Sequence, residues 1–170
     1  MRACELLESI DYPITISRFD QLSQEQLQQI HQLIGAGGEV SSDAIAGGIQ
    51  RSQLVAFAED NGKVIAVTVM KTPLNSYKTS VFAKAGVPEL ANSYAYESGY
   101  SYTDPAYRST GVSARLHRQL FQTAGEPLFA TVRSDNRVAL LGLQRLGFAP
   151  VGEPFASSRG DYTITLLIKK

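Results

Sequence analysis

The spacing of apolar residues changes period several times along this chain, and each change predicts an element. Residues 14–19 are short and β-branched and read as an opening strand. Leu27, Ile30, Leu33 and Ile34 then recur with a 3.6-residue period, which predicts a helix with one buried face. Ser23 and Gln26 stand ahead of it at capping-box spacing, and Gly35, Gly37 and Gly38 supply its stop. A weaker helix is expected over residues 43–49, where Gly47 and Gly48 each oppose helix formation by about 1 kcal/mol relative to alanine.

Residues 54–59 and 64–71 are β-rich runs joined through Asp60-Asn61-Gly62, and Asn-Gly suits the positive φ angles of a type I′ hairpin. Residues 72–93 form a long excursion with a short helix near 81–85, of the kind that lines binding sites. Residues 93–103 alternate as a strand that ends at Asp104-Pro105, with Tyr94, Tyr96, Tyr100 and Tyr102 on one face, where packing explains them better than ligand stacking. A helix over 109–124 turns Val112, Leu116 and Leu120 inward and Arg115, Arg118 and Gln119 outward. Residues 128–132 read as a buried strand. Asn136 opens a further helix with Val138, Ala139, Leu143 and Leu146 inward, Gly147 ends it before a strand from Phe148, and a strand over 162–168 closes the chain. An early hairpin followed by β-α-β-α-β implies a mixed α/β sheet with helices on its faces.

Composition narrows the field without naming a function. At 170 residues and 44% apolar, one domain over 1–170 with a sizeable core is expected. Sixteen basic side chains balance 16 acidic ones, so no global field recruits nucleic acid or an anionic membrane. Cys4 stands alone, which excludes an internal disulfide framework, and Glu5 and Glu8 interrupt the apolar stretch a signal peptide requires. A cytoplasmic protein, monomer or homodimer, is expected. His31 and His117 lie on different helices with no third ligand at suitable spacing, so no metal is expected.

The stretch from Glu97 to Phe148 carries the chemistry. A strand ends at Asp104-Pro105 and passes through Tyr107-Arg108-Ser109-Thr110-Gly111-Val112-Ser113 into a helix. Unpaired N–H groups and the positive end of the helix dipole make an anion site there, and Gly111 permits close approach of a phosphate. A cation at Arg108 opposes the dipole and is easier to understand with a phosphate bound. The loop lacks the Gly-Lys-Ser/Thr ending of a P-loop and the third glycine of a dinucleotide fingerprint, so ATP and NAD are poor candidates.

Arg108-Ser109-Thr110-Gly111-Val112-Ser113 resembles the pyrophosphate loop of the GNAT acetyltransferase superfamily, Gln/Arg-x-x-Gly-x-Gly/Ala, with Ser113 in place of the last residue. Asn136, Ala139 and Leu146-Gly147-Phe148 are similar to its downstream pattern, with Leu143 where the family has a tyrosine. The resemblance implies a mainly antiparallel mixed sheet, splayed in the middle, with helices on both faces. It implies acetyl-CoA as acyl donor, held by Tyr102, Thr103, Arg108, Ser109, Thr110, Gly111, Val112, Ser113 and Asn136. Glu97 falls where many members place a general base, and N–H groups near Tyr100 to Tyr102 would polarise the thioester carbonyl. The implied reaction is direct N-acetylation of a primary amine on a small molecule or peptide. The acceptor would meet the first two helices, the 72–93 excursion and the turn at 156–161, with Tyr77, Phe82 and Phe155 giving its cavity an apolar component. Plainer readings stand beside these: Glu97 as an ion-pair partner or solvated strand residue, Asn136 as a simple N-cap, and glycines 35, 37, 38, 47 and 48 as flexibility on the substrate side. With no tyrosine at 143, a non-catalytic acyl-CoA sensor or interaction module is the alternative; a protein or tRNA acylase is a third option, although zero net charge gives no support for RNA binding.

Overall fold

The computed structural model describes residues 11–125 and 127–170, so the expectations about Cys4, Glu5 and Glu8 fall outside it. Its elements run β1 (Ile14–Ser17), α1 (Gln24–Gly35), α2 (Ser42–Gln50), β2 (Ser52–Asp60), β3 (Lys63–Lys71), α3 (Asn75–Lys84), β4 (Tyr96–Thr103), α4 (Val112–Ala124), β5 (Leu128–Arg133), α5 (Arg137–Arg145), β6 (Ala149–Pro150), β7 (Phe155–Ala156) and β8 (Thr163–Lys169). The strands form one sheet in the order β1-β2-β3-β4-β5-β8-β6, with β7 also against β8. Every pairing is antiparallel except β4 with β5.

Local chemistry accounts for the early elements. Ser23 and Gln26 close a reciprocal capping box, Gln26 N donating to Ser23 Oγ at 3.1 Å and Ser23 N to Gln26 Oε1 at 3.0 Å. Asn61 and Gly62 turn the β2–β3 hairpin at φ 49° and 79°, the left-handed pair that a type I′ turn requires. Helix α2 survives two internal glycines because Ser41 caps it and Ile45 and Ile49 bury their side chains under the sheet.

Alternation along β3 sorts the core onto two faces. Ala66 and Met70 pack with Val112, Leu116 and Leu120 of α4, whereas Val67 and Val69 pack with Ile30 and Ile34 of α1 and Ile45 and Ile49 of α2. On the second face α3 covers β5 and β8 through Val81 and Phe82 against Phe129 and Leu166. The sheet is therefore clad on both sides, with three helices on one face and two on the other.

Several sequence expectations need correction. The excursion after β3 holds a helix from Asn75 to Lys84, longer than the stretch 81–85, followed by a 3-10 segment over Pro88–Ser93. Helix α4 begins at Val112, three residues late, because Ser109 and Gly111 take left-handed φ values of 64° and 81°. Val138 points to solvent at 86% exposure, and Leu140 takes the inward place beside Leu143 and Leu146. Phe82 is fully buried against Tyr94 and Phe129, so it builds core and lines no cavity. The four tyrosines do not share one face: Tyr96 packs on the α4 side, Tyr100 and Tyr102 on the α1–α2 side. The cause is a bulge in β4, where Tyr100 adopts φ 50° and the register against β3 shifts between Val69↔Gly99 and Val67↔Tyr102.

Candidate active site

The site is built where the sheet opens. Strands β4 and β5 run parallel and pair at Tyr96↔Leu128 and Glu97↔Phe129. Among the described residues they make no further pairs, although β4 continues to Thr103 and β5 to Arg133. From Ser98 onward the β5-facing edge of β4 is left without a neighbouring strand. Glu97 sits at the apex of this fork, and the turn at 108–113 closes the far end, about 20 Å away by the rise of a strand.

Glu97 is 2% exposed and heavily partnered. Its Oε1 accepts from Thr131 Oγ1 at 2.9 Å and from the Tyr77 hydroxyl at 3.0 Å, while Oε2 pairs with Lys71 Nζ at 2.8 Å. Burial, and then the adjacent carboxylate, hold the Tyr77 phenol well above its ordinary range, so it stays protonated as a donor. The bulge brings Tyr100 onto the same face as Glu97, and the Lys71 ammonium lies 4.4 Å from the Tyr100 ring centroid. Gly99 makes room for that side chain, since a Cβ there would come within 2.7 Å of Lys71 Cε. Lys71 and Thr131 escaped sequence reasoning, and Tyr77, expected as an apolar wall of the acceptor cavity, instead donates to Glu97; the signal available for Lys71 was that a strand ending there and one starting near Glu97 set the two opposite each other, as their register does.

A second polar group lies across the sheet. His117 of α4, 7% exposed, holds Nδ1 at 2.8 Å from the Ser113 carbonyl, an acceptor, which fixes the proton on Nδ1. Its Nε2 faces Ser101 Oγ at 3.0 Å and Thr68 Oγ1 at 3.2 Å, with 2.8 Å between the hydroxyls. Desolvation lowers the imidazole pKa, opposed by the Ser113 contact. One buried ring thus ties the turn at 108–113 to the bulged part of β4.

The turn is shaped from within. Asp104 accepts from Ala106 N at 3.0 Å and pairs with Lys63 at 2.7 Å, so its carboxyl is held below, and the Lys63 ammonium above, the usual values. Tyr107 donates to Asp60 at 2.8 Å, and Thr110 Oγ1 donates to the Tyr107 carbonyl at 2.7 Å. Arg108 is exposed, with Nε donating to the Thr103 carbonyl at 3.2 Å and its guanidinium 5.5 Å from the Tyr102 ring centroid. Gly111 opens α4, whose first backbone bond of the i to i−4 type is Arg115 N to Gly111 O. The N–H groups of Ser113 and Ala114 precede it and, among the described residues, have no backbone acceptor. Tyr102, Thr103 and residues 108–113 therefore gather at one end of the fork, with Glu97 at the other. Asn136 caps α5, its Oδ1 accepting from Ala139 N at 3.1 Å, and Leu143 is half-buried against the α4 core.

Residues 22–148, which include the forked strands β4 and β5 and the glycine-opened helix α4, are matched by the model of the Acetyltransferase (GNAT) family. The chain belongs to this family. Its fold is similar to those of solved structures: ElaA from Escherichia coli (15% identity, 94% of this chain and 100% of that one, TM-score 0.69) and an acyl-CoA N-acyltransferase from Pseudomonas aeruginosa (15%, 94% and 100%, 0.67). It also agrees with yncA from Salmonella typhimurium, solved with its cofactor acetyl-CoA (16%, 93% and 94%, 0.64). Among curated proteins, the uncharacterized protein ML0378 of Mycobacterium leprae (strain TN) is 34% identical over 89 residues, and the match spans 46% of this chain and 25% of that relative's length. Family membership carries acyl transfer in general. Among the described residues no three His, Cys, Asp or Glu side chains gather as a metal site, and no helix is long and apolar enough to cross a membrane.

Proposed function

We propose that the chain is an acetyl-CoA-dependent N-acetyltransferase that acts on a primary amine of a small molecule or peptide by direct transfer. The observation that carries this reading is the fork itself, with a buried carboxylate at its apex and left-handed Gly111 at its mouth. The N–H groups of Ser113 and Ala114 at the start of α4, with Arg108 in the same turn, suit a pyrophosphate. Tyr102 and Thr103 would flank the arm on the unpaired edge of β4. A bound thioester supplies an activated acyl carbonyl, and the edge N–H groups from Tyr100 to Tyr102 are the donors for the charge that develops on its oxygen.

An amine attacks only when neutral, and an ordinary alkylamine with a pKa near 10.4 is almost wholly protonated at neutral pH. Glu97 is the carboxylate at hand, and among the described residues its Oε2 accepts from one partner, Lys71, leaving a lone pair for the acceptor's proton. Tyr77 and Thr131 fix its orientation from the other oxygen.

Thiol release from acetyl-CoA with a panel of primary amines tests the reading. At least one amine should accelerate release, and Glu97→Gln should cut turnover by roughly 100-fold or more, the contribution typical of a general base, while coenzyme A affinity holds. The sensor reading draws on Leu143 standing where a proton donor is expected and on the crowding around Glu97. It predicts a thermal midpoint raised by acetyl-CoA, no amine-dependent release, and a Glu97→Gln protein that behaves as the parent.

A further inference from the structure

The Lys71 ammonium occupies a peculiar place for a structural ion pair. Its side chain is 17% exposed, its Nζ lies 2.8 Å from Glu97 Oε2, and its chain crosses β4 over Gly99, two residues past the last pairing with β5. The Tyr100 ring bounds it at 4.4 Å on one side, and Tyr77 and Thr131 reach Glu97 from the other. An amine is thus already seated over Gly99, where the unpaired stretch of β4 begins, in contact with the carboxylate proposed as base. An incoming acceptor amine would need the same contact.

From this we infer that Lys71 is an internal acyl acceptor, modified on Nζ by the donor bound in the fork. The inference rests on the proposed function, since it needs an acyl thioester between β4 and β5. In the step, the Lys71 ammonium passes a proton to Glu97 Oε2 and the neutral Nζ forms a bond to the acyl carbon. The C–S bond breaks, the proton lost from the new amide nitrogen leaves on the thiolate, and Glu97 returns its proton to solvent. The products are acetyl-Lys71, free thiol and one proton. An amide does not return its acyl group to an amine, so the modification accumulates and removes the charge facing Glu97.

The test is incubation of the whole protein with acetyl-CoA and no added amine, with site-by-site peptide mass mapping over time. Lys71 should gain acetyl at a rate independent of protein concentration. It should react on the order of 100-fold faster than exposed Lys84 and Lys170, because a held amine reacts as an intramolecular neighbour. Glu97→Gln should slow Lys71 and leave Lys84 and Lys170 alone, and acetyl phosphate, which lacks the nucleotide handle, should show no preference for Lys71. A second measurement, the shift of the thermal midpoint by coenzyme A, separates the two failures. If coenzyme A shifts the midpoint and Lys71 gains acetyl no faster than Lys84, the internal acceptor is refuted and the proposed function stands. If coenzyme A produces no shift and every lysine reacts at background rate, both fall together. Preference for Lys71 with acetyl phosphate as well would mean simple chemical reactivity and also overturns the inference.

Discussion

The Tyr100 ring lies directly against Gly48 of α2, and its hydroxyl donates to the Ala44 carbonyl one helical turn away at 2.9 Å. A Cβ at position 48 would overlap the ring and its hydroxyl, so this glycine is a contact surface for the β4 bulge and not a source of flexibility. Gly48→Ala should therefore destabilise the protein. Helix propensity favours alanine by about 1 kcal/mol, whereas overpacking against a held ring costs about 1–3 kcal/mol and prevails. Urea midpoints with an unchanged slope measure the loss, and a stabilised variant would refute the packing account.

Gly111 behaves differently, because nothing lies within 4 Å of where its Cβ would stand, and its constraint is the left-handed φ of 81°. Gly111→Val should rebuild the turn at a cost of about 1–2 kcal/mol and lower coenzyme A affinity roughly tenfold or more. Gly111→Asn, which tolerates that conformation, should retain most of it. Calorimetric titration checks both, and equal affinity in the valine variant contradicts the role given to residues 108–113.

The buried His117 makes stability depend on pH. Its folded pKa is depressed by desolvation, so the unfolded chain takes up a proton near pH 6.5 that the native ring refuses. The contribution is complete above that value and is lost as pH falls from about 6.5 toward the lower native pKa. Denaturant titrations between pH 8 and pH 5 should show a decline over that interval, and His117→Asn should flatten it. A parallel decline in the variant would assign the effect to other groups.

The Lys71 and Glu97 pair offers a test by subtraction. Lys71→Met strands a carboxylate that is 2% exposed, and removing one partner of a buried pair costs about 3 kcal/mol. Adding Glu97→Gln to Lys71→Met should recover much of the loss, since the neutral amide can still accept from Tyr77 and Thr131. Chemical denaturation of the single and double variants gives the coupling, and strict additivity would contradict it.

Ser23 with Gln26 and Asn61 with Gly62 were readable because their chemistry is local: each motif satisfies or shapes backbone within three or four residues. The tyrosine stripe misled for the opposite reason. Even spacing assumes an unbroken pleat, and the bulge at Tyr100 is stabilised by α2, some fifty positions away in the chain, with Gly99 the sole nearby hint. Val138 misled because helix α5 offers no fully buried position, so one inward aliphatic more or less leaves little trace in the pattern. Glu97 was singled out through the family resemblance, but its partners come from β3, α3 and β5, and His117 meets Ser101 and Thr68 only after the sheet forms. Such tertiary meetings leave no mark in residue order.

The two-residue seam between β4 and β5 means that this fold is an incomplete sheet by construction. Main-chain donors and acceptors along one side of β4 must be met by water or by a guest, so any extended, amide-bearing molecule entering the gap is received as though it were a missing strand. Tolerance for the tail that such a guest carries outward is then a property of the walls, while the grip on its spine is the same for all.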